Sequence, residues 1–216
     1  RKLVEFQILD KNAEHYGVSI SELMQNAGNE LSKYIMENYS ADAVITIVCG
    51  KGNNGGDGFV CAFNLIDVGF KVNILIAEPP SSKISIPYYK KLENRVTEIS
   101  FLSKFKDETG LLVDCLLGSG ITGNPRPPYD AYIEEINNFE NILSVDVPSG
   151  FLSQCSVRPG ITITFHDLKE GMNEDNCGEI VIRDVGIPEE IERQTGPGEL
   201  LLYPKWNPKK HKGQNG

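Results

Sequence analysis

The sequence predicts an α/β protein built on a mostly parallel sheet. Short β-branched runs alternate with helical segments of roughly 10–15 residues, the pattern of right-handed βαβ units. The stretches richest in Gly, Asn and Pro fall directly after strand runs, and parallel sheets bind ligands at the carboxyl ends of their strands. The chain has 216 residues, 40% hydrophobic and 24% charged, a globular composition with room for one large domain or two small ones.

Ser19 to Tyr39 reads as an amphipathic helix, with Ile20, Leu23, Met24, Ala27, Leu31 and Ile35 on one stripe and Ser19 or Ser21 as the N-cap. Ala43 to Cys49 is the first strand, followed by a glycine-dense loop, Gly50 to Gly58, and a helix from Phe59 to Val68. Lys71 to Ala77 is the second strand, ended by Glu78-Pro79-Pro80, and Ser82 to Arg95 is helical despite Pro87. Leu111 to Leu117 is a strand that runs into the turn-rich Gly118 to Tyr129, with a short helix from Ala131 to Phe139. Ile142 to Val147 is a strand closed by Pro148-Ser149-Gly150; Ile161 to Phe165 and Glu179 to Arg183 are strands joined by polar loop.

The net charge of −9 argues against non-specific binding to nucleic acid or anionic lipid, while a local pocket can still take a phosphate. Residues 199–216 hold four lysines and one glutamate, a basic end on an acidic body. No apolar run approaches the ~18 residues of a membrane span, and residues 1–11 are mixed and charged, unlike a signal peptide. The five cysteines are odd in number and lack C-x-x-C spacing, which points to reduced structural thiols in a cytoplasmic protein.

Gly50, Gly52 and Gly55 satisfy G-x-G-x-x-G, but the acid of the dinucleotide fingerprint stands about 20 residues on, whereas Glu78 stands 28 after Gly50. Glycines let backbone N–H groups approach a ligand oxygen, a following helix start favours anions, and the side chains of Asn53 and Asn54 can hold a cation, sugar or phosphate. The competing reading is a glycine turn with asparagine caps. Asp114 lies inside the apolar strand LLVDCLL and must be paired, hydrogen-bonded, metal-bound or protonated, unless it caps a neighbouring loop. Asp146, in SVDVPSG, precedes a sharp turn that presents Ser149 at the sheet edge. In a parallel sheet both acids and the asparagine loop converge on one edge, an arrangement suited to cation binding or acid–base work. Lys169 can reach a phosphate or be solvated, and His166 reads as a surface residue. No H-E-x-x-H, G-x-S-x-G or Walker motif is present, which removes support for zinc protease, α/β-hydrolase and P-loop readings.

Together, LMQNAG (23–28), GKGNNGGDGFVCA (50–62), DCLLGSGITG (114–123), SVDVPSG (144–150) and TITFHDLKEGM (162–172) resemble the NAD(P)HX epimerase family, the YjeF N-terminal domain, in its archaeal form. The resemblance implies a Rossmann-like three-layer αβα sandwich, a homodimer, and interconversion of the R and S forms of hydrated NADH and NADPH. It implies Asp146 as the substrate-contacting residue; a carboxylate there is able to handle protons at the reacting hydroxyl, and a buried site would raise its pKa toward neutrality. Its substrate loop falls on Asn53, Asn54, Gly55, Gly56 and Asp57. Its second segment falls on Gly118, Ser119, Gly120, Ile121, Thr122, Gly123 and Asn124, and its potassium ligands on Asn54, Asp114 and Ser149; Lys169, by its reach to a phosphate, is added as a further substrate contact. Two departures stand out: Thr122 sits where members often carry Lys or Arg, and Phe151 to Pro159 is short. The end of the chain resembles the junction of two-domain members, which implies an epimerase domain over residues 1–195. Residues 196–216 then form a linker and the start of a covalently linked ADP- or ATP-dependent dehydratase with a ribokinase-like fold. Two other functions compete: an NAD-dependent oxidoreductase using Glu78, and a non-catalytic binding module.

Overall fold

A computed structural model of the chain describes residues 1–93, 95, 97–121 and 123–203. The expectations for Thr122 and for residues 204–216 lie outside the described residues. Seven strands, β1 (Val44–Cys49), β2 (Lys71–Ile76), β3 (Thr97–Ile99), β4 (Thr109–Cys115), β5 (Ile142–Val145), β6 (Ile161–Phe165) and β7 (Glu179–Arg183), form one sheet in the order β3-β2-β1-β4-β5-β6-β7. Every described pairing is parallel. The six expected strands are present, and β3 adds a short edge strand. The order reverses between β1 and β4, so their carboxyl ends diverge there and open a crevice, the usual ligand position in such sheets.

Period-2 alternation sorts the strand residues onto two faces. Ile45, Ile47, Cys49, Val113 and Val145 pack with Leu23, Leu31, Ile35, Phe59 and Leu65 from α2 (Ile20–Asn38) and α3 (Asn53–Asp67). Val48, Leu112 and Leu116 pack on the other face with Ile133 and Ile136 of α5 (Tyr129–Ile136) and with Leu102. The result is a three-layer αβα sandwich. The Ser19 side chain caps α2 by accepting from the Glu22 N–H at 3.1 Å.

Four elements differ from expectation. The glycine-dense stretch is a loop only as far as Gly52; α3 begins at Asn53. These glycines permit close packing of a helix. A Cβ on Gly55 would lie 2.0 Å from the Gly50 carbonyl oxygen, and one on Gly58 2.8 Å from Cys49 Sγ. The helix expected over Ser82 to Arg95 shortens to α4 (Ile86–Leu92), with Pro87 in its first turn, where a missing N–H costs nothing. The polar connection between β6 and β7 contains one helical turn, α6 (Glu174–Cys177). Finally, an unexpected helix, α1 (Leu3–His15), precedes everything else; Asn12 stands among its three buried residues, beside Leu9 and Ala13, and hides its apolar period. The short α7 (Glu189–Glu192) and the two-turn 3-10 helix Pro197–Leu202 both lie against α1. The contact is specific, since Gly198 N–H donates to Asn12 Oδ1 at 2.8 Å.

Candidate functional site

One cleft of about 980 Å³ opens over the carboxyl ends of β1, β4, β5 and β6, flanked by α1 and the start of α2 and α3. That is the upper end of the range for small-molecule and cofactor sites. Asn53, Asn54 and Asp57 line it, as do Gly118, Ser119, Gly120, Ile121, Gly123, Asn124, Asp146 and Lys169. Gly55 and Gly56 do not face it: Gly55 rests on Gly50, and Gly56 rests on Met24 and Ser85. Asp114 and Ser149 are fully buried and absent from the lining.

Asp114 accepts four hydrogen bonds. Its Oδ1 receives Leu116 N–H at 3.2 Å and Ser149 Oγ at 2.5 Å; its Oδ2 receives Ser144 Oγ at 2.8 Å and Ser149 N–H at 2.9 Å. Ser149 Oγ in turn accepts Leu117 N–H at 2.8 Å. The carboxylate therefore ties β4 to β5 and both to the Pro148-Ser149-Gly150 turn. Burial raises its pKa, and the donors from Ser149, Ser144 and Leu116 only partly offset that rise.

Asp146 follows β5 with φ +69°, in the left-handed region, and Val147 N–H bonds back to the Val145 carbonyl at 2.9 Å. His166 repeats the device after β6: φ is +68°, and Asp167 N–H bonds to the Phe165 carbonyl at 2.8 Å. Such three-residue turns at positive φ are strained, and strain of this kind gathers at functional sites. The turn aims Asp146 at the cleft, where Oδ2 accepts Ser119 N–H at 2.7 Å and Oδ1 meets Lys169 Nζ at 2.8 Å.

Lys169 is only 3% exposed. Its ammonium also donates to Thr164 Oγ1 at 2.7 Å and the Phe165 carbonyl at 3.1 Å, and it lies 4.6 Å from the centre of the Phe6 ring. Neither the solvated reading nor the free phosphate ligand holds, because a buried lysine must be paired and this one is paired with Asp146. The expected rise of the Asp146 pKa is likewise corrected. Burial pushes it up, but the Lys169 charge, with hydrogen bonds from Lys169 and Ser119, outweighs burial and holds the carboxyl below the usual carboxylate range.

Two acids behave in the opposite way. Burial, with the charges of Asp146 and Asp10, pushes Asp57 well up. Asp10 opens toward the cleft, yet desolvation by the surrounding walls and the Asp146 charge push its carboxyl up to about 6. Asp10 and Phe6 were not legible from periodicity because α1 was not. The reading of His166 as a surface residue is also corrected: its side chain is 10% exposed, it lines the cleft, and Nε2 lies 2.8 Å from Glu192 Oε1. Glu78 is engaged by Lys51 at 3.0 Å and by the Tyr129 hydroxyl. It is not presented as the ribose acid of an oxidoreductase.

Residues 20–171 match the family described as YjeF-related protein N-terminus, which is more than half of the chain. The chain belongs to this family. The bifunctional NAD(P)H-hydrate repair enzyme Nnr of Methanothermobacter thermautotrophicus is 36% identical over 100% of this chain and 46% of its own. The enzyme of the same name from Archaeoglobus fulgidus is 33% identical over 98% of this chain and 47% of its own. The chain thus spans just under half the length of these curated relatives. The crystal structure of a yeast protein, ynu0, shares the fold, with a TM-score of 0.73 at 22% identity over 96% of this chain and 93% of that one. The matched stretch holds Asn54, Asp114, Asp146 and Lys169, while α1, with Phe6 and Asp10, stands ahead of it.

The donor set expected for potassium can be tested on the structure. Asn54 is 9% exposed, and neither its Oδ1 nor its Nδ2 has a protein partner. The Asp114 carboxylate has no cationic partner among the described residues. An orphaned amide oxygen and an uncompensated buried charge fit a large monovalent cation.

Asp114→Asn is expected to lose about 2–3 kcal/mol of stability, since an amide brings N–H groups against the Ser149 and Ser144 donors. Chemical denaturation midpoints check this, with Ser144→Ala expected to cost about 1 kcal/mol.

Proposed function

We propose that this cleft interconverts the R and S forms of hydrated NADH and NADPH, the epimerase half of nicotinamide-cofactor repair. One observation carries the proposal: a strained turn holds an ionised Asp146 at the base of a dinucleotide-sized cleft, in a chain whose relatives are NAD(P)H-hydrate repair enzymes.

Inversion at C6 of the hydrated ring requires proton movement at the hydroxyl. Asp146, kept anionic by Lys169, accepts a proton there. Its Ser119 and Lys169 contacts fix its orientation before substrate arrives, so little reorganisation is left for the reaction. The first-turn N–H groups of α3 have no intrahelical acceptors and suit a phosphate oxygen. Gly118 to Ile121, Gly123 and Asn124 line the cleft as well, and the substrate-binding segment is proposed to include Thr122. A potassium ion, when bound, supplies positive charge beside the anionic site; Asn54, Asp114 and Ser149 would hold it. In this proposal the protein works in the cytoplasm as a homodimer, alongside an ADP- or ATP-dependent dehydratase that accepts one epimer. The word bifunctional in the relatives' name supports that pairing.

The test starts from a single epimer of NADHX and follows appearance of the other by chromatography. The wild-type protein is expected to bring the two to equilibrium, and Asp146→Asn to slow this by roughly 100- to 10,000-fold. Wild-type-like turnover in that variant removes Asp146 from the reaction. Exchanging potassium for tetramethylammonium at equal ionic strength should lower the melting temperature as well as weaken substrate binding. Indifference of both readouts counts against the cation site.

A further inference from the structure

Three carboxyl groups and one ammonium meet in the cleft wall: Asp10 from α1, Asp57 from α3, Asp146 after β5 and Lys169 after β6. Phe6 and Asp10 are four residues apart on α1 and so share a face. Phe6 and Asp10 both line the cleft, Lys169 Nζ sits over the Phe6 ring, and the charges of Asp146 and Lys169 both act on Asp10.

The ammonium has three N–H donors, and Asp146, Thr164 and the Phe165 carbonyl take them. Nothing is left for Asp10 or Asp57, and among the described residues no hydrogen bond or ion pair reaches either side-chain carboxyl. The neighbouring His166 is taken up by Glu192, and Lys51 by Glu78. One lysine thus neutralises one of three acids, and the other two keep protons most readily. They differ in access, since Asp57 is 9% exposed while Asp10 opens to water in the cleft. Only Asp10 can both deliver a proton to a ligand and recover one from solvent.

We propose that Asp10 is the general acid of the cleft, delivering its proton to the C6 hydroxyl of the hydrated nicotinamide ring while Asp146 acts as the base. This rests on the epimerase reading above. The C6–O bond breaks as Asp10 protonates the departing hydroxyl, water leaves, and the N1 lone pair forms a C6–N1 double bond. Water then adds to the opposite face of C6. A new C6–O bond forms, the double-bond electrons return to N1, and the surplus proton passes to Asp146. Nothing is oxidised or reduced. One carboxyl has lost a proton and the other has gained one, and exchange with solvent restores both.

The experiment measures kcat and KM for single-epimer interconversion from pH 5 to 8.5 with the wild type, Asp10→Asn and Asp10→Glu. An acid that titrates near 6 must be protonated to act, so wild-type kcat/KM is expected to fall toward tenfold per unit as pH rises above that value. Asp10→Asn should lower kcat about 100-fold or more, change KM less than about threefold, and lose the alkaline fall. Asp10→Glu should recover part of kcat and restore the fall. Melting curves and circular dichroism spectra matching the wild type establish that both variants are folded. Wild-type kcat with the same alkaline fall in Asp10→Asn overturns the role of Asp10 and leaves the epimerase reading standing. A wild-type protein that leaves the single epimer unchanged at every pH overturns that reading and this role with it.

Discussion

A carboxylate inside the sheet organises this protein. Asp114 is fully buried in β4, and a buried charge is tolerated only when its lone pairs are satisfied. Two donors come from Ser149, one from Ser144 and one from Leu116. Satisfying Asp114 therefore places the end of β4, the end of β5 and the turn that follows. That placement sets the Leu116–Gly118 stretch beside Asp146, so that Ser119 can donate to the Asp146 carboxylate. It also leaves a buried carboxylate without a cationic partner among the described residues, in a protein where the Asn54 side chain has no partner either. Fold and site thus share one electrostatic problem.

Charge is then divided unequally across the cleft. Asp146 is paired with the Lys169 ammonium and stays ionised; Asp57 and Asp10, acids of the same kind, are pushed toward their neutral forms. Environments that drive like groups apart in pKa assign acid and base roles without different residue types. A cleft with three bare carboxylates would repel a phosphate-bearing ligand, and one with three neutral acids would hold no base. Lys169, spent on Asp146 and two neutral acceptors, produces a mixture of both states.

Much of this was legible in the sequence. β-branched runs and helical spacing gave six of the seven strands, because buried parallel strands are apolar throughout and stand out. Asp114 and Asp146 were visible as acids in apolar surroundings. What escaped depended on distant partners. The glycines of 50–58 read as loop because glycine marks both turns and close packing; only Met24, Cys49 and the Gly50 carbonyl reveal the second use. Lys169 read as solvated or phosphate-binding because its charged partner Asp146 and the Phe6 ring that covers it come from other parts of the chain. α1 was hidden because its buried stripe includes Asn12, whose polarity is explained by Gly198 and Glu199 at the far end of the sequence. With α1 hidden, Asp10 had no place in the site.

The central claim is that one cleft holds its carboxyls in different protonation states at the same pH. Carbon-13 NMR titration of carboxyl-labelled aspartates, with Asp146 and Asp10 assigned by substitution, tests it most directly. The account predicts that Asp146 titrates below the usual carboxylate range and that Asp10 titrates near 6. An Asp146 that titrates above Asp10, or two groups that titrate together near 4 as free carboxylates do, would contradict it.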